Sequence, residues 1–188
     1  MRWIRLAGAT APRSARVRTY AERMSARVEL AHASDALPVG ELLHRFNTEF
    51  REPTPGVERL AERVRELLAE GQTSVLLARA RDQDERRSAG DSGAAGLALL
   101  RFRPAIFSDG LECYLAELFV VPELRGRGIG RELMRSALEH ARERGADYIE
   151  LSTAESDIAA RRLYESLGFS NREGRADGPL NYYYERSL

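Results

Sequence analysis

Long apolar runs are missing from this sequence. No stretch approaches the roughly 18 to 20 consecutive apolar residues that a membrane-spanning helix needs, so a soluble protein is expected and a membrane is not among its partners. A dominant charge is missing too. Lys plus Arg and Asp plus Glu both total 29, and with no global field of one sign, nucleic acid is also excluded as a partner. Cysteine is nearly absent: the single Cys113 excludes an internal disulfide and has no Cys or His neighbour at metal-ligand spacing. This usage fits a reducing compartment, the cytoplasm. Cys113 lies in the alternating run Leu111-Glu112-Cys113-Tyr114-Leu115, where a small buried side chain is the commoner reading than a nucleophile. His32, His44 and His140 are scattered singly, so no metal is expected. The elements holding His32 and His44 are expected far from the glycine-rich segment considered below.

What is present suits one globular domain. The 188-residue length can bury a proper core but is short for two domains, and shares of 43% hydrophobic and 31% charged residues are ordinary. Residues 1–25 are rich in Arg and Ala, show little apolar periodicity, and precede a second methionine, Met24. They read as a flexible N-terminal arm or the product of a misassigned start, since they lack the continuous apolar stretch and cleavage pattern of a targeting segment. Residues 26–188 then form the single domain.

Within it, Val28 to Ala31 reads as a strand, followed by a helix from Asp35, an N-cap candidate, to about Phe50. Glu52-Pro53-Thr54-Pro55-Gly56 breaks that helix, and Val57, Leu60, Ala61, Val64, Leu67 and Leu68 recur at helical spacing until Gly71. Strands over Thr73–Ala80 and Ala95–Arg103, joined by the charged stretch Arg81–Asp91, suggest an antiparallel pair. A further strand, about Glu112 to Val121, stops at Pro122. Ile129, Leu133, Ala137, Leu138 and Ala141 mark a helix closed by Gly145, Tyr148–Thr153 is a strand, and Ala160, Leu163, Tyr164 and Leu167 line a helix stopped by Gly168. Leu180–Glu185 is expected as a last, aromatic strand. The order is β-α-α-β-β-β-α-β-α-β.

The segment Arg125-Gly126-Arg127-Gly128-Ile129-Gly130 carries the chemistry. A strand that turns through glycines into a helix sets unsatisfied main-chain N–H groups beside the positive end of a helix dipole, which is an anion site. Missing Cβ atoms let those amides approach a bulky pyrophosphate, with Arg125, Arg127 and Arg131 able to add charge at its edge. The spacing is neither the GxGxxG of a dinucleotide fold nor a P-loop with its Lys-Ser or Lys-Thr.

Arg125, Gly128 and Gly130, following Glu117-Leu118-Phe119-Val120-Val121-Pro122, match a pattern of Arg or Gln, two residues, Gly, one residue, and Gly or Ala. Downstream, Ala160, Leu163-Tyr164 and Gly168-Phe169 repeat a second signature at the expected distance. Together they resemble the acetyl-CoA motifs of the GNAT superfamily of N-acetyltransferases. The resemblance covers the chain from about Arg27 onward, specific in its second half and loose in its first.

That resemblance implies an α/β (α+β) fold with a mixed, mostly antiparallel central sheet flanked by helices and splayed at the cofactor strand. It implies acetyl-CoA as acyl donor, with the pantetheine arm along Leu118, Phe119 and Val120 and the pyrophosphate on the amides of Gly126, Arg127, Gly128, Ile129, Gly130 and Arg131. Glu150, Leu151 and Ser152 would form the opposite wall. Glu117 is the implied base, working through water, against the plainer reading of a surface glutamate. Tyr164 is the implied partner of the CoA sulfur, against that of a core tyrosine. Where many family members have Asn seven residues before this tyrosine, the chain has Asp157, which weakens a pantetheine contact or caps the helix. A small-molecule amine is the expected acceptor. Glu49 and Glu52 are candidate counter-charges for a cationic one, or plain solvated acids of a helix turn. Tyr182, Tyr183 and Tyr184 suit an acceptor wall or the seam of a homodimer. Rival readings are a non-catalytic acyl-CoA-binding module, transfer to a protein amine or of a longer acyl chain, and an interaction protein using the aromatic C-terminal strand.

Overall fold

The computed structural model describes residues 26–80, 87–89 and 92–187; the N-terminal arm lies outside the described residues. The chain runs β1 (Ala26–Leu30), α1 (Ala36–Phe50), α2 (Val57–Ala69), β2 (Thr73–Ala80), β3 (Ala94–Pro104), β4 (Leu111–Val120), α3 (Ile129–Glu143), β5 (Ala146–Glu150) and α4 (Ile158–Glu165). The sheet is five-stranded in the order β1-β2-β3-β4-β5. Its first four strands pair antiparallel, and β5 joins parallel to β4. A parallel pair needs a crossover, and α3 supplies it.

β2 and β3 are buried along almost their whole length because helices cover both faces of the sheet there. Directly paired residues share a face. The face of Leu97 and Phe119 receives α1, whose Phe46 ring meets Phe119 edge-on at 5.7 Å. The face of Ser74 and Phe102 receives α3, whose His140 bonds Ser74 Oγ at 2.9 Å. Leu77, Leu97, Leu100 and Leu133 are fully buried, each contributing about 1.5–3 kcal/mol. Cys113 is buried as well, and burial pushes its thiol up to about 11 although Arg144 opposes the shift, so it is a protonated core side chain at neutral pH.

The structure departs from the sequence reading at three places. Asp35 does occupy the N-cap of α1 but does not cap it through its side chain. Its carboxylate binds Arg79 Nη2 and accepts from the His32 amide, while Arg79 Nε donates to Glu29. The strand expected over 148–153 is Ala146–Glu150, because its pairing with β4 ends at Tyr114↔Glu150. The expected strand over 180–185 does not form: Leu180 makes an isolated bridge to Arg172, and Tyr182, Tyr183 and Tyr184 are 73%, 68% and 87% exposed. Strand propensity expresses fit to a half-buried pleated surface, and among the described residues no neighbouring strand offers one there.

Candidate active site

β4 and β5 run together only from Leu111↔Ala146 to Tyr114↔Glu150, after which β4 continues to Val120 beside β3 alone. From Leu115 onward the β5 side of β4 therefore carries main-chain groups without a strand partner among the described residues, the arrangement that accepts an added extended segment. Within the same stretch the register with β3 jumps from Leu99↔Glu117 to Leu100↔Leu115, leaving Ala116 as an extra residue. Such a bulge bends a strand and re-aims its side chains, here immediately before Glu117. Nothing in the apolar alternation announces it.

Past Val120 the chain is pinned by Val121 N donating to Ala95 O at 3.0 Å, turns through Pro122–Leu124 with Leu124 fully buried, and reaches the glycines. Gly126 and Gly128 have φ of 76° and 89°, which side chains rarely adopt, and a Cβ built at either would have nothing within 4 Å. Their requirement is conformational. The first helical bond of α3 is Glu132 N to Gly128 O at 3.1 Å. The amides of Gly126, Gly128, Ile129, Gly130 and Arg131 make no main-chain bond among the described residues. These donors sit at the positive end of a 15-residue helix.

The helix α4 closes the other side of this turn. A Cβ on Gly130 would lie 3.5 Å from Leu163 Cδ2 and 3.7 Å from Val120 Cγ2, so the end of β4, the start of α3 and α4 converge there. Asp157 caps α4, its Oδ1 accepting from Ala160 N at 3.0 Å. Tyr164 is 8% exposed and packs against Phe169, ring centroids 6.0 Å apart. Among the described residues no buried side-chain polar atom lacks a partner, yet the Tyr164 hydroxyl makes no hydrogen bond, so the hydroxyl is the part that reaches the surface. Burial, with Asp157 adding to it, pushes its phenol up to about 12.

Glu117 is half-buried on the sheet face that α1 covers. Burial holds its carboxyl above the usual carboxylate range, and the exposed Arg101 pulls it back. On the proposed opposite wall, Glu150 pairs with Arg103 and Ser152 Oγ lies 3.3 Å from the Tyr114 hydroxyl.

Helix α1, expected far from the glycine loop, lies against it. Arg125 Nη1 and Nη2 donate to Glu49 Oε1 and Oε2, both at 2.7 Å, and Arg45 pairs with Glu123 at 3.2 Å. His44, on the same helix, is 3.1 Å from Thr54 Oγ1. Glu49 thus neutralises Arg125, while Glu52 is exposed. Sequence periodicity marks which face of a helix is apolar, not which distant loop it meets.

A model of the Acetyltransferase (GNAT) family matches residues 41–169, more than half of the chain and all of the site just described. The chain belongs to this family. Among its relatives, a mycothiol acetyltransferase of Thermobispora bispora is 46% identical over 66 residues, 34% of this chain and 22% of that one. A streptothricin acetyltransferase of Streptomyces lavendulae is 41% identical over 56 residues, 30% of each. The chain therefore spans less than a third of the length of these two curated relatives. A crystal structure of a candidate acetyltransferase from Arthrobacter sp. FB24 is 38% identical, with a TM-score of 0.71 over 86% of this chain and 96% of that one. As a GNAT protein the chain has the expected mixed sheet with flanking helices, opened between β4 and β5. Among the described residues no group of His, Cys, Asp and Glu could hold a metal ion, and no helix is long and apolar enough to cross a membrane.

Proposed function

We propose that this GNAT protein transfers an acetyl group from acetyl-CoA to the amine of a small-molecule acceptor. The observation that carries the reading is the meeting of a half-unpaired β4 with the donor-rich start of α3. The residues fit the donor: amides at Gly126–Arg131 suit a pyrophosphate, with Arg127 and Arg131 adding charge at its edge. The open edge of Leu118, Phe119 and Val120, on which Val120 O already accepts from Arg125 Nε, suits a pantetheine arm paired as an added strand. Bound acetyl-CoA supplies an activated acyl carbon. The names of the mycothiol and streptothricin acetyltransferases support a small-molecule acceptor.

The remaining work falls to side chains and amides of the chain. An amine resembling lysine has a pKa of about 10.4, so it reaches the site protonated, and Glu117 removes the proton, directly or through water. Burial raises its carboxyl pKa, which makes it a better base than a solvated glutamate. An amide on the open edge of β4 meets negative charge on the acyl oxygen; because Val121 N bonds Ala95 O, alternation turns Phe119 N toward β3 and leaves its neighbours Leu118 and Val120 for this part. Tyr164 has a different part. With its phenol near 12 and thiols near about 8.5, handing its proton to sulfur is uphill by several kcal/mol. Oη therefore keeps its proton and donates a hydrogen bond to the leaving thiolate, which takes up the second proton that the attacking nitrogen sheds as the amide forms.

Tyr164→Phe is accordingly expected to lower kcat about tenfold to a hundredfold, the worth of one hydrogen bond to a charged group, with CoA affinity little changed. Arg101→Leu removes the charge that opposes protonation of Glu117, so the acid limb of the kcat/KM profile should move to higher pH; an unmoved limb would assign it to another group. The test of the whole reading is thiol release from acetyl-CoA across a panel of small amines. Turnover of at least one supports it. Saturable acetyl-CoA binding with no turnover of any amine would replace it by a binding module, and no CoA binding would end it.

A further inference from the structure

Arg125 opens the glycine motif, and its charge is the one that a phosphate reading assigns first to the pyrophosphate. Its guanidinium is already occupied. Beyond the bidentate pair with Glu49, Nε donates to Val120 O at 2.9 Å, and the Phe119 ring lies 5.7 Å from its central carbon. Glu49 is 76 residues away, in the last turn of α1. Next to this pair Phe46 bridges Phe119 on β4 and Phe50 on its own helix, with centroids at 5.7 and 5.0 Å.

The loop needs such a hold. Gly126 and Gly128 take positive φ and bring no side chain to pack, so at these two positions the turn that must present several amides at once has no side-chain anchor of its own. A loose loop would have to be ordered when its ligand binds, and the lost freedom would come out of the affinity. A planar guanidinium fork gripping a carboxylate at one end and a strand carbonyl at the other supplies order in advance. The pair is partly exposed, with 45% and 30% of the two side chains accessible, so its effect on global stability is small and its consequence is local.

We propose that Arg125 is a positioning residue rather than a phosphate ligand: with Glu49 it brackets the C-terminal turn of α1 to the glycine loop, presetting the amides at Gly126–Arg131 and the adjoining Phe46 and Phe50 rings together. This rests on the reading of that loop as the CoA site. The two roles of Arg125 predict opposite effects at Glu49. If the guanidinium serves phosphate, Glu49 competes with CoA and its removal leaves binding unchanged or tighter. If it serves the bracket, removing Glu49 loosens the loop and weakens binding.

The experiment is calorimetric titration of CoA into wild type, Glu49→Ala, Arg125→Ala, the double variant and Arg125→Lys, with thermal melts confirming that each is folded. Glu49→Gln is held in reserve should the alanine variant not fold. The bracket predicts a three- to tenfold weakening for each single variant and a double variant no worse than Arg125→Ala alone, because Glu49 acts in the bracket only through Arg125. It also predicts that Arg125→Lys behaves like Arg125→Ala, since a lysine keeps the charge and loses the fork. Acceptor KM should rise in Glu49→Ala more than kcat falls. Wild-type or tighter CoA binding by Glu49→Ala, additive losses, or rescue by lysine would each overturn the proposal. Failure of the wild type to bind CoA would instead bring down the donor-site reading, and the bracket with it.

Discussion

Glu117→Gln is expected to lower kcat/KM at neutral pH by about two to four orders of magnitude, the usual range for losing a positioned base, while CoA still binds. Glutamine keeps the volume and one acceptor oxygen but cannot take a proton. In the wild type, activity should fall as pH drops through the raised pKa of Glu117, because a protonated carboxyl no longer serves as base. The variant should lack that limb altogether. Stability should move the other way. A carboxyl whose folded pKa lies above its unfolded value contributes stability that is fully present below the unfolded pKa and lost as pH rises through the folded one. Above its folded pKa the charged Glu117 is therefore a burden on the fold that Gln removes, and there the variant should melt at an equal or higher temperature. Wild-type kcat/KM with an unchanged acid limb in Glu117→Gln would remove Glu117 from the chemistry.

The glycine loop was legible because its signal is local. Pro122 ends β4, positive φ at Gly126 and Gly128 demands glycine, and the apolar spacing of Ile129, Leu133 and Ala137 starts a helix at once. Each cue sits within a few residues of what it determines. The buried Cys113 followed from the same kind of short-range alternation. The bulge at Ala116 was not legible, since Leu115, Glu117 and Phe119 alternate as they would in a regular strand and only the partner strand reveals the extra residue. Nor was the bracket, which joins side chains 76 residues apart. Leu180–Glu185 misled for the complementary reason: its aromatics have high strand propensity, but propensity cannot supply a neighbouring strand. Local geometry was thus readable for the glycine loop and the start of α3. The contacts between α1 and the glycine loop were not readable, because they join distant residues whose proximity is set by packing alone.

Gly128→Glu is expected to abolish CoA binding, with a loss of at least about a hundredfold, while the protein stays folded. The φ of 89° at this position costs a non-glycine residue roughly 1–2 kcal/mol. Space is not the obstacle, because a Cβ there meets nothing within 4 Å. A carboxylate at the start of α3 also recovers about 0.3–1 kcal/mol from the helix dipole, so the melting temperature should fall by only a few degrees. That same carboxylate would occupy the amides meant for phosphate and repel a second anion. Gly130→Ala provides the contrast. Gly130 lies inside α3 without a positive φ, and an added Cβ would make ordinary contacts of 3.5 and 3.7 Å with Leu163 and Val120. Helix propensity favours alanine there by about 1 kcal/mol. This variant should be at least as stable as wild type, and any loss of CoA affinity should be far smaller than at Gly128. Thermal melts with and without CoA read both quantities in one experiment: wild type should gain melting temperature with CoA, Gly130→Ala should gain part or all of it, and Gly128→Glu none. A full CoA shift in Gly128→Glu would mean that the pyrophosphate does not sit on these amides, because no anion could share them with a fixed carboxylate.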